Sequence, residues 1–378
     1  MLSLFLMAMN ETVYASGQIY FDDLFKEVDQ AQKSIEVETY ILADDELGKL
    51  LIEKLKLASR RGVQVRLIVD GFGSHPWIQK YGLCGQLDHF EWRSFHPLPW
   101  PFSRFTYSDL WNVQRMVTFW LKANRRTHKK VAIIDNKICF LGSMNFWQES
   151  LSWRETGLSL SPCPQEVKAS FEFSWARSFF KQASKIKILK PSWKKHYRQS
   201  STIFTNFNIL ARQRKNNEIL RRIREAQSFI GLSTPYFVPT SFLLKELCQA
   251  AKRGVTVKMI VTEKSDVPIV QRVMPYFFRS LLKAGAKIYA YQPQIFHAKV
   301  LIFDQDCIVG STNLNHRSLL HDLEIDVALT QKRARKQVLQ QFEEDLLSST
   351  PVKKEDLDKV GWLNILMIRL ILFFKNWM

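Results

Sequence analysis

Residues 296–304 read Phe-His-Ala-Lys-Val-Leu-Ile-Phe-Asp, and Gly310-Ser311-Thr312-Asn313 follow shortly after. The same pattern stands at 127–135, Thr-His-Lys-Lys-Val-Ala-Ile-Ile-Asp, with Gly142-Ser143-Met144-Asn145 behind it. Each copy is a His-x-Lys pair (His128 and Lys130, His297 and Lys299), four apolar residues, an Asp (Asp135, Asp304) and a Gly-Ser-x-Asn loop. Side chains two apart on a strand share a face, so each His points the same way as its Lys. The apolar run crosses a core, Asp-Asn-Lys or Asp-Gln-Asp turns it, and Ile138–Leu141 or Cys307–Val309 returns. That hairpin delivers Ser143 and Asn145, or Ser311 and Asn313, beside the His and Lys. One such pair is an ordinary basic edge; two with matching loops are two halves of one polar site.

The duplication extends upstream. Tyr20–Val28 is a short amphipathic helix, Ser34–Ile41 alternates as a strand, and Leu47–Ser59 has helical apolar spacing and stops at Arg60-Arg61-Gly62. Val63–Val69 is the next strand, so the unit is β-α-β with parallel strands. Ala226-Gln227 starts its repeat, with helix Phe242–Lys252, strand Val255–Val261, helix Pro268–Lys283 and strand Ala286–Tyr291. A duplicated α/β protein with pseudo-two-fold packing is expected in these 378 residues. The expected divisions are a tail at 1–16, a first domain at 17–184, a basic linker at 185–203, a second domain at 204–350 and a C-terminal segment at 351–378.

Hydrophobic content of 46% and charged content of 24% describe a folded chain. A net charge of +18 calls for a polyanionic partner, nucleic acid or anionic lipid, and 11 Trp with 27 Phe suit either. Five scattered cysteines form no C-x-x-C pair, so neither a zinc site nor a disulfide framework is read, and a reducing compartment is expected. Met1–Met9 is apolar but short and without a basic flank, which suits a first strand or an overlong start. Residues 92–126 are dense in aromatic and basic types around Pro97-Leu-Pro-Trp-Pro101, and are expected to wall a lipid-accepting groove through Trp100 and Phe102. Residues 361–378 carry a short apolar run interrupted by Asn364 and Arg369, with Trp362 and Trp377 near its ends. An amphipathic helix lying in the headgroup region is expected, against the alternative of a helix docked on the body.

The paired His-x-Lys-x4-Asp elements resemble the phospholipase D superfamily. The resemblance implies two tandem phospholipase D-like α/β sandwich domains with the active site at their interface. It also implies that one imidazole, by family analogy His128, attacks phosphorus to form a phosphohistidine while the other serves as acid and base. Lys130 and Lys299 would meet the phosphate, helped by Asn145, Asn313 and the hydroxyls of Ser143 and Ser311. Glu155 and Glu324, one downstream of each motif, match the family acids that fix the histidine tautomer. Asp135 and Asp304 belong to the catalytic motif, but an odd spacing from their His turns them off its face, toward hairpin support. No metal and no cofactor is called for.

Glu36-Val-Glu38-Thr39-Tyr40-Ile41, Asp70-Gly71-Phe-Gly73-Ser74, Tyr236-Phe237-Val-Pro239 and Asn313-Leu-Asn315-x-Arg317-Ser318 are similar to short bacterial cardiolipin synthases from about Gly17 to Leu347. Departures are Glu155 where Asp is frequent, Ser143 where Gly is common, and His321-Asp322 in place of Leu-Asn. The resemblance implies a peripheral enzyme of the bacterial cytoplasmic membrane. It would move a phosphatidyl group to the glycerol hydroxyl of phosphatidylglycerol, from a second phosphatidylglycerol or from phosphatidylethanolamine. A hydrolytic phospholipase D, a phosphodiesterase acting on nucleic acid and a non-enzymatic membrane scaffold are the competitors. No nucleic-acid-binding module is recognisable, which sets nucleic acid behind lipid.

Overall fold

The computed structural model describes residues 9–97, 125–179 and 202–358, with Ile368 and Leu372. The first half runs β1 (Asn10–Tyr14), α1 (Gly17–Gln30), β2 (Ser34–Thr39), α2 (Glu46–Arg60), β3 (Gln64–Asp70), α3 (His75–Tyr81), β4 (Cys84–Leu87), β5 (Phe90–Phe95), β6 (Val131–Ile134), β7 (Ile138–Gly142), β8 (Gly157–Ser161) and α4 (Gln165–Trp175). The second runs β9 (Ile203–Thr205), α5 (Ile209–Glu225), β10 (Phe229–Ser233), α6 (Ser241–Lys252), β11 (Thr256–Thr262), α7 (Pro268–Lys283), β12 (Lys287–Tyr291), β13 (Val300–Phe303), β14 (Asp306–Gly310), α8 (His316–Leu320), β15 (Ile325–Ala328), α9 (Lys332–Leu347), β16 (Ser349–Pro351) and α10 (Lys354–Asp358).

Each half contains one eight-stranded sheet. The first is ordered β1-β8-β7-β6-β2-β3-β5-β4, the second β16-β12-β11-β10-β13-β14-β15-β9. Read in opposite directions the two orders coincide: β2 and β3 match β10 and β11, and the hairpin β6–β7 matches β13–β14. The β-α-β strands pair in parallel, Ile35 beside Val65 and Ile230 beside Val257, as the crossover helices require. Gly62 and Gly254, at φ 90° and 95°, end α2 and α6 in the left-handed conformation that a side chain disfavours.

The motif runs Val131–Ile134 and Val300–Phe303 are buried throughout, the pattern of strands covered on both faces. One face of each sheet meets its own crossover helices. The other faces the opposite sheet in a central cluster that joins Ile133, Leu141 and Leu158 to Ile302, Val309 and Ile325. At about 1.5–3 kcal/mol per fully buried aliphatic side chain, this shared layer holds the halves together.

Local expectations are adjusted in four places. Asn10–Tyr14, inside the expected tail, pairs antiparallel with β8 and closes that edge. Of the aromatic and basic stretch, β5 takes Trp92 and Arg93 into the sheet, and Arg93 lies 4.0 Å above the Trp175 ring. Arg125 donates to the Phe207 carbonyl and the buried Arg126 to that of His96, so both are internal struts. Trp100 and Phe102 lie outside the described residues. Of the expected membrane-lying tail, Ile368 and Leu372 are described, and both pack on the second-half core. Among the described residues no helix is long and apolar enough to cross a membrane.

Candidate active site

Two main-chain clamps between the halves build the site. Thr127 bridges Leu323, and Arg154 bridges Phe296. His128 donates its N–H to Leu323 O at 2.9 Å, and His297 donates its N–H to Arg154 O at 2.8 Å. Each catalytic-motif His is thus fixed by the other half before its own strand begins. His128 and Lys130 lie in the extended lead-in to β6, and His297 and Lys299 in that to β13. Alternation still orders them. Lys130 and Lys299 reach the carbonyls of their own histidines at 2.8 and 3.0 Å. The intervening Lys129 points away, 2.9 Å from Glu38 and from Ser174 Oγ.

The carboxylates cross the interface. Glu155, from the first half, lies 2.7 Å from Nδ1 of His297; Glu324, from the second, lies 3.0 and 3.1 Å from Nδ1 of His128. Each acid follows one motif in the chain and serves the histidine of the other, a swap that spacing along the chain does not encode. With Nδ1–H donated to a carboxylate, each neutral imidazole carries its lone pair at Nε2, the nitrogen able to attack or deprotonate. Lys299 Nζ stands 2.9 Å from Nε2 of His297. Tyr40 packs edge-on to His128 at 5.0 Å, and Trp153 and Tyr236 flank His297 at 5.4 and 6.0 Å.

The remaining expected residues separate into three groups. Asn145 and Asn313 line, with both histidines, a cavity of about 490 Å³. Asn145 Oδ1 accepts the Ile41 N–H at 3.2 Å, which leaves its amide NH2 for a ligand. Ser143 and Ser311, expected to meet phosphate, are fully buried and turned away. Ser143 Oγ accepts the Thr156 N–H at 2.9 Å, while Ser311 Oγ donates to Glu324 and accepts the Ile325 N–H at 3.0 Å. They fix the residues that follow the glutamates, Thr156 and Ile325. Asp135 and Asp304 sit beyond the far ends of β6 and β13, roughly 16 Å along the extended chain from the lysines. Asp135 accepts N–H groups from Gln32, Lys33 and Ser34, and Asp304 from Gln227, Ser228 and Phe229. They staple the loops that enter β2 and β10, rather than their own hairpins.

Other cavity residues carried no site role in the sequence reading: Tyr40, Tyr236, Arg317 and Asp322, which stood only in the stretches compared with the family, and Trp153 and Asp266. Tyr236 donates its hydroxyl to Asp266 at 2.5 Å, and Arg317 Nε donates to Asp322 at 2.9 Å. The available signal was a tyrosine shortly after each of β2 and β10, Tyr40 one residue past its strand and Tyr236 three past its own, an offset that hides the match in the repeat. All five cysteines are free, with Cys139 and Cys307 in the core. Among the described residues no group of His, Cys, Asp and Glu converges as metal ligands would.

Burial sets the electrostatics. It lowers both histidines, His128 well below the usual range with Lys130 and Lys299 adding to the fall. At His297 burial is opposed by Glu155. Burial, reinforced by Lys299, brings Lys130 to about 7; burial brings Lys299 to about 8 against the pull of Glu155 and Glu324. Burial also raises Glu324. Two histidines and two amides at one cavity, with a lysine poised near neutrality beside each histidine, are a donor set whose chemistry suits an anionic ligand.

Residues 24–172 and 219–346 match the family described as "Cardiolipin synthase, PLD-like domain". The chain belongs to this family. It is an enzyme, a phosphatidyltransferase of the phospholipase D type. A cardiolipin synthase of Clostridium perfringens (strain SM101) is 28% identical over 374 residues, covering 92% of this chain and 72% of the relative. A probable cardiolipin synthase of Bacillus subtilis is 29% identical over 369 residues, covering 93% and 68%. The fold is shared with phosphatidylserine synthase of Haemophilus influenzae, at a TM-score of 0.64 and 13% identity over 96% of this chain and 92% of that one. Polyphosphate kinase of Porphyromonas gingivalis has a TM-score of 0.55 at 11% identity, over 89% of this chain and 50% of the kinase. Both duplicated motifs of the present chain bring a His and an Asn to the cavity, with a Lys beside each His.

Proposed function

We propose that the enzyme makes cardiolipin, passing a phosphatidyl group through a phosphohistidine to the glycerol hydroxyl of phosphatidylglycerol. The observation that carries the mechanism is the crossed pair of His–Glu contacts at the cavity between the halves, which engages Nδ1 of each histidine and leaves Nε2 for proton transfer or attack, with Nε2 of His297 joined to Lys299. In the first step Nε2 of one histidine bonds to phosphorus and the bond from phosphorus to the headgroup oxygen breaks. The second histidine gives its proton to that oxygen, and the headgroup alcohol departs. In the second step it takes the proton of the acceptor hydroxyl, whose oxygen bonds to phosphorus as the P–N bond breaks. Lys130 and Lys299, with the amides of Asn145 and Asn313, hold the charged oxygens throughout.

His128 is assigned as nucleophile and His297 as acid and base. Glu155 lies closer to its histidine, and its second oxygen has no hydrogen-bond partner, so its charge acts mainly on His297. Glu324 divides its charge with the hydroxyls of Ser311 and Ser318. The imidazolium is therefore best supported at His297. The Lys299 hydrogen bond places an ammonium proton on the nitrogen that must deliver one.

The donor is phosphatidylglycerol or phosphatidylethanolamine, met by a peripheral enzyme at the bacterial cytoplasmic membrane. Purified protein incubated with vesicles containing both lipids, with products read by mass spectrometry, tests the reading. Cardiolipin is expected; phosphatidic acid as sole product in every mixture overturns it in favour of hydrolysis. His128→Ala and His297→Ala should each abolish turnover, and only His297→Ala should trap a covalent phosphatidyl-enzyme, from a phosphatidyl ester whose leaving group departs unprotonated.

A further inference from the structure

Phe72, Phe242 and Ile269 stand 54%, 72% and 45% exposed. Phe72 follows the C-terminal end of β3; Phe242 and Ile269 are the second residues of α6 and α7, entered from β10 and β11. These parallel strands end on the edge of the sheets from which Tyr40 and Tyr236 enter the cavity, and Phe72 and Ile269 stand at its mouth. Single exposed apolar residues are ordinary; one of this size from each half at one opening, with a third at the start of α6 on the same edge, are not. Two are followed by a cation three residues on, exposed Lys245 behind Phe242 and exposed Arg272 behind Ile269. Residues three apart on a helix are neighbours, so each helix start presents an apolar tip with a positive charge behind it. That order matches the depth profile of an anionic leaflet, with acyl chains below and phosphates above.

We propose that this edge docks on an anionic phospholipid leaflet. Phe72, Phe242 and Ile269 enter the acyl boundary, Lys245 and Arg272 meet headgroup phosphates, and the cavity mouth opens onto the lipid surface. A phosphodiester then reaches the histidines without its acyl chains leaving the bilayer. The proposal rests on the phospholipid reading above only for what the cavity receives; the docking is measured separately.

The test is sedimentation of the full chain with phosphatidylglycerol vesicles and with phosphatidylcholine vesicles. Each of Phe72→Ser, Phe242→Ser and Ile269→Ser is expected to weaken binding to phosphatidylglycerol vesicles about tenfold. The pair Lys245→Gln and Arg272→Gln is expected to reduce that binding and its salt dependence, while leaving phosphatidylcholine binding unchanged. Phe242 lies outside the cavity. Phe242→Ser should therefore lose turnover on vesicles in step with binding, and keep turnover on dihexanoyl-phosphatidylglycerol dispersed as monomers. Vesicle binding unchanged by the three serine substitutions overturns the proposal. So does equal loss for Phe242→Ser on monomeric and vesicular lipid. Weakened binding in a protein that turns over no phospholipid in any mixture supports the docking and removes the proposed reaction instead.

Discussion

Glu155→Gln tests the division of labour between the two histidines. The substitution keeps an oxygen to accept the Nδ1–H of His297 and removes only the negative charge 2.7 Å away. With about 4 Å between charge centres and an effective dielectric of about 20, that charge stabilises an imidazolium by about 4 kcal/mol. At about 1.4 kcal/mol per factor of ten, a step that needs protonated His297 slows about a thousandfold. The loss should depend on the leaving group. Glycerol must be protonated as it departs from phosphatidylglycerol, whereas p-nitrophenolate leaves unprotonated from the corresponding phosphatidyl ester. The assay compares glycerol release with the pre-steady-state burst of nitrophenolate, which reports the first step alone. Glu155→Gln is expected to lose the full factor with phosphatidylglycerol and little of the burst. Glu324→Gln, which weakens support of the charge forming on His128, should lose both. An equal loss for Glu155→Gln on the two lipids would refute the assignment of His297 as acid.

The pH profile should have an alkaline limb: Lys130 and Lys299 lose their charge as pH rises through about 7 and about 8, so kcat/KM for an anionic lipid falls there. Bound phosphate favours both charged forms, so the limb in kcat should lie higher. Lys130→Met should be inactive yet more stable below pH 7, by up to about 5 kcal/mol, from the drop in the lysine from 10.5 to about 7. The native state binds fewer protons than the unfolded one between those values, so the wild-type contribution to stability rises with pH across that window. Urea denaturation of both proteins at pH 6 and pH 10 reads the difference. Asp304→Ala removes the acceptor of three backbone N–H groups and should cost about 1–3 kcal/mol in thermal or urea unfolding, leaving the kcat pH profile in place. Burial opposes ionisation of Asp304, but its hydrogen bonds lower it to about 2; its contribution is complete above about 4 and is lost as pH falls toward 2.

Elements with a clear period or a decisive stop were legible in the sequence. Helix α7 occupies Pro268–Lys283 as expected, because Pro suits its first turn and apolar residues recur along one face. The parallel β-α-β units and the paired hairpins followed from the repeat. The crossing of Glu155 to His297 and Glu324 to His128 was illegible, because it depends on how two sheets pack. The serines misled for a related reason: a Gly-Ser-x-Asn loop fixes that Ser and Asn are near the His, but not which of them turns inward. Gly142, at φ 144°, sits where a Cβ would meet Thr156 O at 2.4 Å, and this close approach brings Ser143 against the neighbouring strand. Arg125 and Arg126 were counted with the basic stretch expected to wall a lipid groove, because composition cannot register that carbonyls of Phe207 and His96 accept from them.

The charge balance of the site gives the crossed arrangement a chemical consequence. Lys130, Lys299, Glu155 and Glu324 are all at most 3% exposed, and a lone charge so placed would be costly. As a set of two cations and two anions around neutral histidines they compensate one another, but only when both halves are present, since each glutamate acts across the interface. A phosphodiester adds one negative charge to that balanced set. The group best able to answer it is a proton at the Lys299–His297 hydrogen bond, where Glu155 already opposes the effect of burial. Substrate charge would therefore draw in the proton that its own leaving group requires. That coupling separates the alkaline limb of kcat from that of kcat/KM, and it is available to neither half alone.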